Sequence, residues 1–179
     1  RVLPELLKRR PQATILIVGG AGCNYGPRPP EKTWAEIFAA QARTQISEAD
    51  WARVHFLGKI PYEQFVSVLQ LSRVHLYWTY PFVLSWSLLE AMSCGAVVVG
   101  SNTGPVQELI TDQVTGRLVS FFDLNAWVRV IDDLLNDDCL RQKIALAARE
   151  HIVKHYDLRT ICVPQQTEWI RSCAKSSTQ

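Results

Sequence analysis

VHLYWTYPFVLSWSLLEAMSCGAVVVG, Val74 to Gly100, decides how this chain folds. Two runs rich in β-branched and aromatic residues, Val74–Trp78 and Ala96–Gly100, bracket an aromatic loop and a short helical pattern. Neither run alternates polar with apolar, so each reads as a strand buried on both faces. Ser87–Cys94 reads as a helix closed by Gly95, the residue that most easily adopts the left-handed cap conformation. Strand, loop, helix and strand in this order make a βαβ unit, which implies parallel pairing. One carboxylate, Glu90, stands in the apolar stretch. The pattern places it in the first turn of a helix that starts at the carboxyl end of a strand.

The alternation continues on both sides. Ala13–Gly20, Val54–Ile60 and Gly116–Ser120 read as further strands. Helical patterns cover Thr33–Ile46, Pro61–Ser72 with Pro61 as its first helical residue, Leu124–Asp137 and Cys139–Tyr156. A short one follows Gly104-Pro105 and places Glu108 in its first turn, where an acid complements the helix dipole. RVLPELLKRR at the start reads as the tail of a helix already under way. The predicted fold class is α/β: a Rossmann-like open, mainly parallel sheet with helices on both faces, its ligands at the carboxyl ends of the strands. Residues 1–158 form the domain. Residues 159–179 form a C-terminal helical segment, helical after Pro164, and a tail that frays into KSSTQ. Gly19–Lys32 is a Gly/Pro-rich loop longer than most connections, either a plain surface loop or a functional one.

Bulk properties narrow the function classes. With 47% apolar and 20% charged residues, the 179-residue chain is an ordinary globular sequence. A net charge of +2 is too small to argue for nucleic acid as a partner. No apolar run approaches the roughly 20 residues of a transmembrane helix. Five Cys without a CxxC pair suit free thiols in a reducing compartment. No Cys/His cluster has metal-ligand spacing, so neither a metal site nor a cofactor is expected. His151 and His155 stand one turn apart with no third ligand and read as a surface pair. His55 and His75 read as core histidines within strands.

Two readings of Glu90 compete. Ser87 and Glu90 have the S-x-x-E spacing of a capping box, a purely structural use. Alternatively, the helix start offers free N–H groups and partial positive charge to a phosphate. A carboxylate beside it then has two acceptor oxygens for the paired hydroxyls of a ribose. G-x-G-x-x-G is absent, and ILIVGGAGCNYG has the wrong glycine spacing for it, so a nicotinamide cofactor is a poor fit.

The order of motifs resembles the retaining family 4 (group 1) glycosyltransferases of the GT-B fold. Glu90, Ala91, Met92, Gly95, Val97–Val99, Gly104, Glu108 and Gly116 match that family's pattern in order. ILIVGG and VHFLGKIPYEQFVSVLQLS resemble its earlier elements, so the resemblance covers nearly the whole chain. It implies the C-terminal, donor-binding half of such an enzyme. Glu90 then falls on the acid that holds the ribose hydroxyls. Val83, Leu84, Ser85, Trp86 and Ser87 fall on the loop whose amides meet sugar and phosphates. Gly19 and Gly20 fall on the turn that lets backbone approach the diphosphate, and Lys59 and Ile60 on the main chain that frames the base. One position departs: Phe82 stands where the family has a first acid, so no catalytic side chain is assigned.

The resemblance further implies a UDP-, GDP- or ADP-sugar donor and a glycan or lipid-linked acceptor. It implies a bacterial role in surface polysaccharide synthesis, in the cytoplasm or at the inner face of the membrane. The acceptor domain and the cations facing the diphosphate are expected upstream of Arg1, so the 179 residues alone are expected not to transfer sugar. Tyr80, Phe82 and Trp86 group around the proposed site, as loop packing or as a platform for the sugar. Two alternatives remain: a nucleotide-sugar binding module that has lost catalysis with Phe82, and another GT-B enzyme such as a nucleotide-sugar epimerase.

Overall fold

The computed structural model describes residues 1–22 and 26–176. Cys23 and the middle of the Gly19–Lys32 loop lie outside the described residues, as does the end of the tail, 177–179. Strands and helices alternate as expected. The strands are β1 (Ile15–Val18), β2 (Val54–Gly58), β3 (Val74–Tyr77), β4 (Val97–Ser101) and β5 (Arg117–Val119). α1 (Leu3–Arg9) precedes β1, and α2 (Trp34–Arg43) and α3 (Glu48–Trp51) join β1 to β2. α4 (Tyr62–Leu71), α5 (Trp86–Ser93) and α6 (Gly104–Gln107) form the next three connections. α7 (Leu124–Asn136), α8 (Asp138–Tyr156), a π turn over Leu158–Cys162 and α9 (Val163–Ser176) follow.

All pairing among the described strands is parallel, in two hydrogen-bonded groups: β1 with β2, and β3–β4–β5 with β4 in the middle. The break between the groups falls at the crossover through α4. β4 is buried along its whole length and feeds two cores through the two-residue period of a strand. Val98 faces a cluster with Leu69 of α4, Leu88, Ala91 and Met92 of α5, and Ala148 and Ile152 of α8. Val97 and Val99 face another, with Val2 before α1, Leu6 of α1, and Trp127, Ile131 and Leu134 of α7. Helices therefore cover both faces, as a parallel sheet requires. Each such fully buried aliphatic side chain contributes about 1.5–3 kcal/mol.

Several local expectations are corrected. α1 runs from Leu3 to Arg9 with Pro4 in its first turn. Pro61 is the N-cap of α4 rather than its first residue; its carbonyl accepts from Phe65 N at 3.0 Å. Glu108 is the C-cap of α6, the end where a carboxylate gains nothing from the dipole. His55 lies exposed on β2 rather than in the core, on a strand where only Val54 is buried. α2 opens with a capping box between Thr33 and Glu36.

Candidate active site

The site edge is built from β3 outward. Trp78 stacks on the fully buried Trp127 at 4.1 Å and 8°, and Phe121 meets Trp78 edge-on at 6.4 Å. Tyr80 in turn meets Phe121 at 5.4 Å. An aromatic chain thus runs from the core of α7 to the loop after β3. Two hydrogen bonds fix that loop's ends. Thr79 N–H donates to Ser101 Oγ at 2.9 Å, tying it to β4, and Ser85 N–H donates to the Tyr77 hydroxyl at 2.8 Å. Between these anchors Phe82 and Val83 are exposed, and Trp86, the first residue of α5, is 79% exposed. Of the expected aromatic group, Tyr80 packs onto the sheet edge while Trp86 is left to solvent.

The start of α5 settles the first question about Glu90. Ser85, not Ser87, is the N-cap, and its Oγ accepts from Ser87 N–H at 3.3 Å and lies 3.0 Å from Ser87 Oγ. The helix begins one residue earlier than expected, and Glu90 is its fifth residue, one turn beyond the cap. The S-x-x-E capping box does not form, because the nearer hydroxyl of Ser85 takes the position. Among the described residues the amides of Val83, Leu84 and Trp86 have no partner, whereas those of Ser85, Ser87 and Leu88 are bonded within the protein. Leu88, Ala91 and Met92 bury the back of α5. Gly95 (φ 80°) ends it in the left-handed region, with its N–H on Met92 carbonyl at 3.1 Å. Arg149 of α8 donates to the Ser93 carbonyl, placing a cation at the negative end of the helix.

The Glu90 carboxylate raises the pKa of Tyr62, the first residue of α4, above its ordinary value, through hydrogen bonding first and charge second. Tyr62 is the neighbour of Glu90 that sequence reasoning missed; the available signal was its position directly after Lys59-Ile60-Pro61.

At the other group of strands, Gly19 (φ 137°) turns the chain out of β1, and its N–H donates to Gly58 carbonyl at 2.9 Å. That bond brings the β1 turn against the residues after β2. A Cβ on Gly20 would come within 2.9 Å of Lys59 Cε, so the Lys59 stem lies over this turn. Lys59 is exposed and Ile60 half-buried. The structure therefore brings Gly19, Gly20 and Lys59 together at one strand end, and Leu84–Ser87 with Glu90 at the other. Pro61 and Tyr62 lead from the first cluster to the second. A concavity along α1, lined by Pro4, Lys8, Gln45 and Asp50 among others, shares no residue with this edge.

The histidines lie elsewhere. His75 is half-buried in β3, and burial lowers its pKa, which suits a neutral core residue. The rings of His151 and His155 lie 4.8 Å apart on α8, tilted by 42°; burial first, then the neighbouring His155 and Lys154, lowers the pKa of His151. Among the described residues no three His, Cys, Asp or Glu side chains gather as metal ligands, and no helix is long and apolar enough to cross a membrane.

Known proteins resemble this chain throughout. A D-inositol 3-phosphate glycosyltransferase of Corynebacterium diphtheriae is 35% identical over 151 residues, which cover 84% of this chain and 34% of that protein. A GDP-mannose-dependent monoacylated alpha-(1-6)-phosphatidylinositol monomannoside mannosyltransferase of Corynebacterium glutamicum is 25% identical over 162 residues, 85% of this chain and 37% of that one. The chain thus spans about a third of the length of these curated relatives. Anabaena Alr3699/HepE, solved in complex with UDP-glucose, superimposes with a TM-score of 0.78 at 23% identity, over 96% of this chain and 44% of that one. Sucrose-phosphate synthase from Thermosynechococcus elongatus gives 0.77 at 24% identity, over 97% and 42%. The structural likenesses carry the fold and bear out the Rossmann-like half of a GT-B architecture. The profile described as "Glycosyl transferases group 1" matches residues 1–151, and the chain belongs to that family.

Proposed function

We propose that this chain is the donor-binding half of a retaining glycosyltransferase that takes a nucleotide-sugar and passes the sugar to a glycan or lipid-linked acceptor. The observation that carries the reading is the place of Glu90. It is not used as a helix cap, and it stands half-buried one turn into α5, whose start carries the unpartnered amides of Val83, Leu84 and Trp86. Its two carboxylate oxygens suit the two hydroxyls of a ribose. The unpartnered amides of Val83, Leu84 and Trp86, at the positive end of α5, receive the diphosphate. The Gly19–Gly20 turn admits backbone to the same group, and Lys59 and Ile60 frame the base.

Catalysis in this reading is electrostatic. The leaving nucleoside diphosphate gains charge as the glycosidic bond breaks, and the N–H groups at α5 stabilise that charge. A hydrogen bond to a charged group contributes about 1.5–3 kcal/mol. The acceptor-binding domain and further diphosphate cations belong to polypeptide beyond these 179 residues, in keeping with the longer relatives. The isolated chain therefore binds donor but does not turn it over. Similarity to a UDP-glucose-bound structure and to a GDP-mannose-dependent relative supports a UDP or GDP donor. The setting is bacterial surface polysaccharide or glycolipid synthesis at the cytoplasmic side of the membrane.

Titration calorimetry with UDP, GDP, ADP and their sugars tests the reading. Saturable binding that falls about ten- to a hundredfold in Glu90→Ala, with unchanged melting temperature, supports it. Binding that is indifferent to Glu90→Ala refutes it. Phe82, 53% exposed at the sugar-facing loop, favours a second reading in which the domain binds but does not catalyse. Transfer by the longer protein with Phe82 intact excludes that second reading.

A further inference from the structure

We infer that Tyr77 is a positioning residue of the donor site: its hydroxyl takes the Ser85 N–H and thereby sets the direction of the unpartnered amides at the start of α5. The inference rests on the proposed nucleotide-sugar function.

Tyr77 is the last residue of β3, in register with Gly100 of β4. It is half-buried and packs against the cluster that holds Leu88, Ala91 and Met92 of α5 and Val98 of β4. The core that buries the back of α5 therefore also holds the tyrosine ring. From there the hydroxyl reaches the exposed N-cap of α5 and accepts Ser85 N–H at 2.8 Å. The bond closes the loop between strand and helix. At the loop's other end the fully buried Ser101 takes Thr79 N–H at 2.9 Å.

The consequence is a choice of amides. Ser85 N–H goes to Tyr77, Ser87 N–H to Ser85 Oγ and Leu88 N–H to the Ser85 carbonyl at 3.1 Å. The N–H groups of Leu84 and Trp86, on either side of Ser85, are left without a partner among the described residues. Ser85 is extended, with φ −85° and ψ 144°. In extended backbone successive peptides face roughly opposite sides. Holding Ser85 N–H on the sheet therefore turns Trp86 N–H away from it. Donors aimed before a diphosphate arrives lose less freedom on binding and need no reorganisation as charge develops.

The test uses the full chain, UDP as the probe and the variant Tyr77→Phe, which keeps the ring and its packing and removes only the hydroxyl. In the ligand-free variant, exchange of the Ser85 amide is expected to accelerate. UDP affinity is expected to fall about three- to tenfold. At saturation, the UDP-induced amide shifts at Leu84 and Trp86 are expected to shrink, while those at Gly19, Gly20 and Lys59 keep their size. Three results overturn the inference while leaving the proposed function standing. One is wild-type UDP affinity in Tyr77→Phe. Another is weakened affinity with unchanged Ser85 exchange, which makes Tyr77 a direct ligand contact. The third is weakened affinity with the saturated shifts at Leu84 and Trp86 intact, which makes the role structural only. Absence of UDP and GDP binding in the wild type overturns both.

Discussion

The two groups of strands look alike in sequence and differ in what surrounds them. β4 is buried at every residue, and the cores on its two faces take in α1, α4, α5, α7 and α8. β1 and β2 are also apolar runs, yet Leu16, Phe56 and Leu57 are exposed, and only Val54 among their residues is fully buried. What holds β1–β2 is polar instead. Arg53 donates to the carbonyls of Arg10, Ala13 and Leu7 at 2.7–3.0 Å and pairs with Asp50 at 2.6 Å, gathering the end of α1 onto β2. The difference teaches how the site is divided. The proposed ribose acid, Glu90, and the α5 amides stand on the densely packed group, and the Gly19–Lys59 turn stands on the lightly covered one.

Substitutions can break or sharpen this contrast. The largest effect is expected at Trp127, which is fully buried, stacks on Trp78 and donates to Ser120 carbonyl at 3.0 Å. Trp127→Ala should cost about 3–5 kcal/mol in urea unfolding, against under about 1 kcal/mol for Leu16→Ala at 43% exposure. Equal losses would erase the contrast. Arg53→Met comes next. It retains the stem but strands the carbonyls of α1, with an expected cost of about 1–3 kcal/mol. Hydrogen exchange should then accelerate at β1–β2 and stay slow at β4; uniform acceleration would mean one cooperative unit. Gly95→Ala forces a Cβ into the left-handed region and should cost about 1 kcal/mol, read as a lower melting temperature with loosened protection at the end of α5.

The smallest expected effect is a pH dependence. Tyr62 is an acid whose folded-state pKa is raised, chiefly by its bond to Glu90. Its contribution is complete below the ordinary tyrosine value of about 10 and is lost as pH rises through the folded value. Phenolate absorbance should show one late-titrating tyrosine, which returns to the ordinary range in Glu90→Ala. Identical titration curves for the two proteins would show that Glu90 does not act on Tyr62 in solution.

Much of this was legible in the sequence, for physical reasons that vary by residue. Runs such as VVVG in β4 signal a strand because nothing polar is tolerated on either face, and Gly95 signals a helix end because few other residues fit there. Exposure was not legible: VHFLG in β2 has the same composition as a buried strand, and His55 was misplaced in the core for that reason. Glu90 was found by its place in a motif, but its partner was not. Ser85 and Ser87 are equally good caps on paper, and only the folded backbone selects Ser85. The influence of Glu90 on Tyr62 joins two helices that pack through a shared core, and no local spacing encodes it.

The division of the site between the two groups is tested most directly by amide chemical-shift mapping of the chain titrated with UDP and GDP. Shifts are predicted at Val83–Ser87 and around Glu90, and together with them at Gly19, Gly20 and Lys59, all following one binding curve. Shifts confined to one group of strands, or to the α1 concavity around Pro4 and Lys8, would contradict a nucleotide held between them.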